Sequence, residues 1–243
     1  MAKASKSKKE GTTRLIALFA IGAAVAAVAV IGWNYYQASV DQTELAESEG
    51  GKTDPSMVEL MRVGPLEEMV MGSADAPNTI VEYASMTCSH CADFQTDVFP
   101  ELKAKYIDTG KAKYMLREFP LDTLATAAFM VARCSGSDRY YPMVDALFET
   151  QSVWAVPGSE GKDKLLQISR QEGFSKERFD ECLADKELFK KIVDVRDRGH
   201  EAFQIDSTPT FFVNGKRLTD YKIEDFDAVL EGADKTAGAS PSP

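Results

Sequence analysis

Cys88-Ser89-His90-Cys91 is the stretch whose residue types and spacing could do chemistry. Two thiols separated by two residues can close a small disulfide and reopen to a dithiol, which is the chemistry of thiol–disulfide exchange. The pair follows the apolar run Ile80-Val81-Glu82-Tyr83-Ala84 and leads into sequence of helical type. A strand that enters a helix at Cys88 leaves this cysteine on the opening turn, where unpaired backbone N–H groups and the helix dipole stabilise a thiolate. Cys91 comes one turn later and is the more shielded thiol. His90 adds a positive charge beside the Cys88 sulfur when protonated, or a ring N–H when neutral, and either effect lowers the Cys88 pKa.

Three other uses of these residues compete with that one. A zinc knuckle needs a second ligand pair, but Cys134 and Cys182 stand apart and the other histidine is His200. Covalent haem attachment needs histidine after the second cysteine, and Ala92 occupies that place. An inert structural disulfide remains open, although bonds closing two-residue loops are strained and reducible. His200 falls in a helical segment with nothing reactive near it in sequence and reads as an ordinary helix residue.

The elements that must position the pair can be read from the pattern on either side. Thr79–Ser85 is the strand that carries the site, entered through the Ala74–Asn78 turn with Pro77. Phe94, Val98, Leu102 and Tyr106 have helical spacing, Pro100 predicts a kink, and Asp108-Thr109-Gly110 ends the helix. Lys113–Phe119 reads as a second strand, giving a β-α-β unit with the cysteines at the carboxyl end of a strand. From Leu121 to about Phe203 only amphipathic helical segments follow: Leu124–Ala132, Pro142–Glu149, Lys162–Gln171, Ser175–Leu183 and Lys186–Phe203. Ser175 is a good N-cap there, with Phe174 and Phe179 as a hydrophobic staple. Strand returns at Ser207–Val213, turns at Asn214-Gly215, and a helix over Ile223–Leu230 closes the fold. Pro209 cannot donate to a ladder, so it marks an edge or a special turn, with a cis bond or a plain trans turn both open.

With 243 residues and 44% hydrophobic content the chain has room for one good core. Its net charge of −10 is uneven. Residues 1–14 carry Lys3, Lys6, Lys8, Lys9 and Arg14 against Glu10, so the remainder is more acidic than the whole and nucleic-acid binding is excluded. No charge occurs from Leu15 to Trp33, a stretch of about 28 Å as a helix, and Trp33, Tyr35 and Tyr36 follow as an interfacial belt. The basic end then stays in the cytoplasm and residues 15–36 form a signal anchor in the inner membrane, the catalytic part lying in the periplasm. A cleaved signal peptide with a soluble periplasmic product is the alternative; a lipoprotein is excluded because no cysteine stands near this segment. Residues 37–57 read as a flexible tether, 58–232 as the folded domain with its insertion over about 121–203, and 233–243 as a disordered tail. Met57 to Met71 alternates weakly, enough for a short strand.

Export places all four cysteines in an oxidising compartment. With Cys88 and Cys91 assigned to the redox pair, the even count leaves Cys134 and Cys182 to bond with each other, or to remain as two buried free thiols. The bond would stabilise by about 4 kcal/mol on the chain-entropy model, an upper figure.

Cys88-Ser89-His90-Cys91 at a strand-helix junction, the acidic Glu82 in the preceding strand, the helical insertion, and Thr208-Pro209 ahead of an Asn-Gly hairpin together resemble DsbA-type thioredoxin-fold proteins of bacterial envelopes. The resemblance covers about residues 60–232. It implies an α/β thioredoxin-like fold, a cis Pro209 facing the disulfide, Thr208 binding substrate backbone beside Cys88, and Glu82 as a buried acid assisting proton transfer at Cys91. From the strand pattern alone, Glu82 could equally face solvent. It further implies exported cysteine-containing proteins as substrates and a membrane quinone-linked oxidase, DsbB-like, as the reoxidising partner, with no metal or organic cofactor. Ser89 stands where many oxidases of this group carry proline, and Thr208 where others carry an aliphatic residue, so the direction of electron flow is less firmly implied than the chemistry. A reductase or isomerase of the same fold and a non-catalytic envelope scaffold are the alternatives. No dimerisation domain is visible ahead of residue 58. For an oxidase, the expected Cys88 pKa is below about 6 and the potential above roughly −270 mV.

Overall fold

A computed structural model describes residues 54–156 and 158–237. The basic segment 1–14, the apolar segment 15–36, most of the expected tether and the end of the tail lie outside the described residues. Among the described residues no helix is long and apolar enough to cross a membrane.

The chain begins with helix α1 (Met57–Leu60), whose N-cap Ser56 accepts from the Glu59 N–H, and with the short strand β1 (Val70–Met71). Strand β2 (Asn78–Ala84) runs to the cysteines, and strand β3 (Ala112–Glu118) lies parallel to it, with Asn78 opposite Ala112 and Ala84 opposite Glu118. After the insertion, β4 (Thr210–Val213) pairs antiparallel with β2, setting Glu82 opposite Phe211, and β5 (Lys216–Arg217) completes a sheet of order β1-β3-β2-β4-β5. The turn between β4 and β5 has positive φ at both Asn214 and Gly215, as a two-residue hairpin requires. A Cβ on Gly215 would also come within 3.2 Å of the Pro55 carbonyl. The folded part therefore starts earlier than position 58: Pro55 packs on the hairpin, and Asp54 Oδ1 accepts from the Arg217 N–H at 2.8 Å.

Both faces of this sheet are covered, and the period-2 alternation of strands divides them. Ile80, Ala84, Tyr114, Leu116, Phe211 and Val213 point into the larger core, which continues into the insertion. Val81, Tyr83, Met115 and Phe212 point the other way, against Leu60, Phe203 and Ile205. The connection from β2 to β3 is helical throughout. It starts as α2 (Ser89–Asp93), passes through a π-helical stretch over Phe94–Val98, the α-helical turn α3 (Phe99–Leu102) and a second π-helical stretch over Lys103–Ile107. At Pro100, where a kink is expected, the helix changes type on both sides of the turn that holds the proline. Proline has no N–H to return to the preceding turn, and here it sits in the first turn of α3, where none is needed.

Six helices form the insertion: α4 (Thr123–Cys134), α5 (Ser137–Glu149), α6 (Gln151–Trp154), α7 (Ser159–Gln171), α8 (Lys176–Ala184) and α9 (Lys186–Phe203). Helix α5 starts five residues before Pro142, and α6 adds a turn that the periodicity does not show. Side-chain caps fix three of the starts, through Asp122, Ser175 and Asp185, each worth about 1 kcal/mol. Phe174 and Phe179 are both buried on either side of the Ser175 cap. His200 Nδ1 lies 2.9 Å from the Ile205 carbonyl, where it ties α9 to the loop after it. Helix α9 approaches the sheet closely, since a Cβ on Gly199 would lie 3.0 Å from the Tyr83 ring. The last helix, α10 (Ile223–Ala237), runs past the expected end at Leu230.

Two covalent or ionic ties hold the insertion. The Arg133 guanidinium on α4 donates to Glu118 at the end of β3 at 2.6 Å, with both side chains almost fully buried. Cys134 and Cys182 are joined by a disulfide across a sequence separation of 48, connecting α4 to α8. Opening that loop frees the unfolded chain, so Cys134→Ala/Cys182→Ala is expected to lose about 2–4 kcal/mol in a denaturant titration while keeping its circular dichroism. A loss below about 0.5 kcal/mol would show that the bond constrains little.

Candidate active site

Ser85, Met86 and Thr87 carry the chain from the end of β2 over the edge of the sheet to Cys88, the N-cap residue of α2. Cys88 keeps extended backbone angles, φ −83° and ψ 119°, so its sulfur turns back over the first helical turn. It is half-buried, whereas Cys91 is fully buried. The two thiols are therefore unequal in access before any question of acidity arises.

They are also unequal in acidity. The Cys88 pKa falls to about 5, chiefly because the Cys91 thiol donates to its sulfur, with the Thr208 side chain and the backbone N–H groups of Cys91 and His90 adding to the effect. Partial burial opposes the shift without overcoming it. Burial pushes the Cys91 thiol well above its ordinary value, and the thiolate beside it and Glu82 below push the same way. One proton is thus held between two sulfurs, on Cys91.

His90 contributes through its backbone N–H. Its side chain is 70% exposed, with Nδ1 3.8 Å from Asp93 Oδ2, so the imidazole faces solvent and a carboxylate. A ring charge beside Cys88, as expected from the sequence, would therefore be screened by solvent.

Thr208 and Pro209 come from the loop ahead of β4, 120 residues away in sequence from Cys88, and the Thr208–Pro209 peptide is cis. The Cys88 thiol donates to the Thr208 carbonyl at 3.2 Å. The Thr208 hydroxyl is buried with no geometrically satisfied hydrogen bond among the described residues, yet it lowers the Cys88 pKa. A thiol uses the carbonyl as acceptor, and a thiolate, which has no proton to give, takes the hydroxyl as donor.

Glu82 is at the centre of the sheet, with strands on both sides and the larger core over its side chain, and it is 0% exposed. The open question of its orientation is answered by that placement. Desolvation raises its pKa to about 8, and the nearby Cys88 thiolate adds to the rise. The hydrogen bond that Tyr114 Oη donates to Oε2 opposes them. Oε1 has no partner among the described residues. A neutral carboxylic acid below the buried thiol is a group that can give or take one proton. Tyr114 was not singled out by the sequence; its pairing with Glu82 depends on the parallel register, which sets Ile80 opposite Tyr114.

Cys88, Cys91, Thr208, Pro209 and Glu82 thus belong to one site, while Cys134 and Cys182 lie apart in the insertion. No group of three or more His, Cys, Asp or Glu side chains able to hold a metal occurs among the described residues.

The opposite shifts of Glu82 and Cys88 predict opposite pH dependences in the reduced protein. A carboxyl raised from 4.5 to about 8 stabilises the fold relative to the unfolded chain below 4.5, and that contribution is lost as pH rises through 8. The Cys88 thiol, lowered to about 5, contributes stability above its ordinary range near 9 that is lost as pH falls through 5. Glu82→Gln keeps an acceptor for Tyr114 and removes only the first dependence. Its stability relative to wild type, from denaturant titrations at pH about 5 and about 8.5, should improve at the higher pH by at least about 1.4 kcal/mol, one pKa unit's worth. A pH-independent difference would contradict the raised carboxyl.

Comparison with known proteins agrees with the geometry. A family model described as Thioredoxin matches residues 66–232. A putative protein-disulfide oxidoreductase of Rickettsia bellii is 34% identical over 167 residues, a match covering 68% of this chain and 64% of the relative. Disulfide bond formation protein D of Bacillus subtilis is 29% identical over 174 residues, covering 68% of this chain and 75% of the relative. The crystal structure of alpha-DsbA1 from Wolbachia pipientis superimposes with a TM-score of 0.66 at 31% identity, covering 72% of this chain and 95% of that one. The match takes in 60% to 64% of the length of the Rickettsia relatives. The chain belongs to the thioredoxin family, among its DsbA-type members.

Proposed function

We propose that the protein is a membrane-anchored thiol:disulfide oxidoreductase that introduces disulfide bonds into exported proteins. The observation that carries this reading is the inequality of the two cysteines: an accessible sulfur of low pKa at Cys88 and a buried thiol of high pKa at Cys91. In the oxidised pair, a substrate thiolate attacks Cys88 Sγ and the Cys88–Cys91 bond breaks, leaving a mixed disulfide and a Cys91 thiolate. That buried thiolate takes a proton, and Glu82, neutral below about pH 8, is the acid placed to relay one. A second substrate thiolate then attacks the substrate sulfur of the mixed disulfide. The substrate disulfide forms and Cys88 leaves as a stabilised thiolate, so two electrons pass from two substrate thiols to the Cys88–Cys91 pair. Thr208 and Pro209, at the rim of the site, hold the substrate backbone.

Residues 15–36 supply the anchor, with the basic residues before them on the cytoplasmic side and the catalytic domain in the periplasm. The electrons leave through a membrane quinone-linked, DsbB-like partner that restores the disulfide. The name of one relative, disulfide bond formation protein D, supports the oxidising direction. No cofactor takes part in these steps.

The division of labour is tested by trapping. Cys91→Ala leaves Cys88 able to form a mixed disulfide that no internal thiol resolves, so adducts with exported proteins should accumulate on non-reducing gels. Cys88→Ala should trap none. Equal trapping by the two variants would overturn the assignment of nucleophile and resolving thiol.

A further inference from the structure

The loop that presents Cys88 is held from two sides by groups that the exchange steps leave unused. On one side the Ser85 hydroxyl accepts from Leu121 N at 3.2 Å, and Thr87 Oγ1 donates to Asp122 Oδ2 at 2.7 Å, tying the loop to the first turn of α4. On the other side the amide of Gln151, 63 residues beyond Cys88, donates through Nε2 to the Cys88 carbonyl at 2.8 Å and to the Met86 carbonyl at 3.0 Å. Gln151 is the first residue of α6 and is only 8% exposed. Three residues further on, Trp154 is buried and its Nε1 donates to the Leu147 carbonyl at 2.7 Å.

We propose that Gln151 is a positioning residue for the Cys88 nucleophile: by pinning the carbonyls on either side of Thr87, it fixes the extended backbone from which the Cys88 sulfur receives the N–H groups of the first helical turn. The inference rests on the exchange function proposed above. Its physical basis is a count of donors and acceptors. A primary amide has two N–H donors, which here meet one carbonyl each. The Cys88 carbonyl already accepts the opening helical bond from Ala92 N at 3.2 Å, and Gln151 takes its second lone pair. A loop released from this bond can turn at Cys88, and the convergence of the His90 and Cys91 N–H groups on one sulfur depends on that residue alone. Because Gln151 comes from the insertion, the acidity of the nucleophile is set partly by an element outside the strand-helix unit that carries it.

The test is thiolate absorbance against pH on the reduced full chain with the Cys134–Cys182 bond intact, for wild type, Gln151→Met, Gln151→Asn and Trp154→Phe. Methionine keeps the side-chain volume without donors, and asparagine keeps the amide but falls one methylene short. Both should titrate higher than wild type by about half a unit to one unit, the share of one or two hydrogen bonds. Trp154→Phe loosens the same corner and leaves both carbonyl bonds, so its titration should coincide with wild type. If Gln151→Met does not fold, Gln151→Asn carries the test. Gln151 variants titrating with wild type would overturn the proposal, as would an equal shift in Trp154→Phe. A wild-type chain with an ordinary thiol pKa would instead overturn the exchange function beneath it.

Discussion

Everything at this site depends on one sulfur anion being cheaper to hold than a neutral thiol at Cys88. Water does not do this, since a free thiol ionises only near pH 8.5. Fixed donors do it here: the neighbouring thiol, the Thr208 side chain and the backbone N–H groups of Cys91 and His90 favour the thiolate, and the pKa falls to about 5. Donors of this kind are effective only when their geometry is already set, because each is individually worth about 1 kcal/mol and is easily lost to a change of rotamer or loop. The rest of the structure can be read as what sets that geometry.

The sheet sets the depth. Strand β2 is flanked by β3 and β4, so its carboxyl end is a rigid platform and Glu82 within it is sealed from water. Glu82 is consequently neutral between about pH 5 and about pH 8, where Cys88 is already ionised, and the two groups can differ in charge although they share one pocket. The loop before β4 brings Thr208 to the sulfur from the far end of the sequence, and the insertion brings Gln151 to the carbonyl side of the same residue. Three segments remote in sequence therefore meet at Cys88. The Cys134–Cys182 bond and the buried Glu118–Arg133 pair hold the insertion in the place from which Gln151 acts.

How much of this could be read in the chain beforehand follows the range of each interaction. The β-α-β unit, the Asn214-Gly215 hairpin, the Ser175 cap with Phe174 and Phe179, and the strand-helix junction at Cys88 are local signals, and the structure has each at its place. The resemblance to DsbA-type proteins supplied the expectation for Glu82, whose alternation pattern alone left solvent and core equally open. What stayed illegible is carried by register and by long-range packing. Tyr114 meets Glu82 only because β2 and β3 pair in parallel, and Gln151 reaches the Cys88 loop from a four-residue helix too short to show a period. Pro100 marks an irregular place in the helix for a local reason, its missing N–H, but the π-helical stretch before it has no pattern of its own in the sequence. His90 bears on Cys88 through its backbone N–H while its ring is exposed, and local spacing identifies such a neighbour without saying which of its atoms meets the sulfur.

A stabilised Cys88 thiolate works against the Cys88–Cys91 bond, because whatever favours the reduced, charged state makes the disulfide a stronger oxidant. An equilibrium titration of the pair against glutathione measures this directly. The account predicts a potential well above the roughly −270 mV of thioredoxin, with the reduced form dominating at glutathione ratios that leave thioredoxin oxidised. A potential at or below that value would contradict it, and would place this chain among proteins that break disulfides.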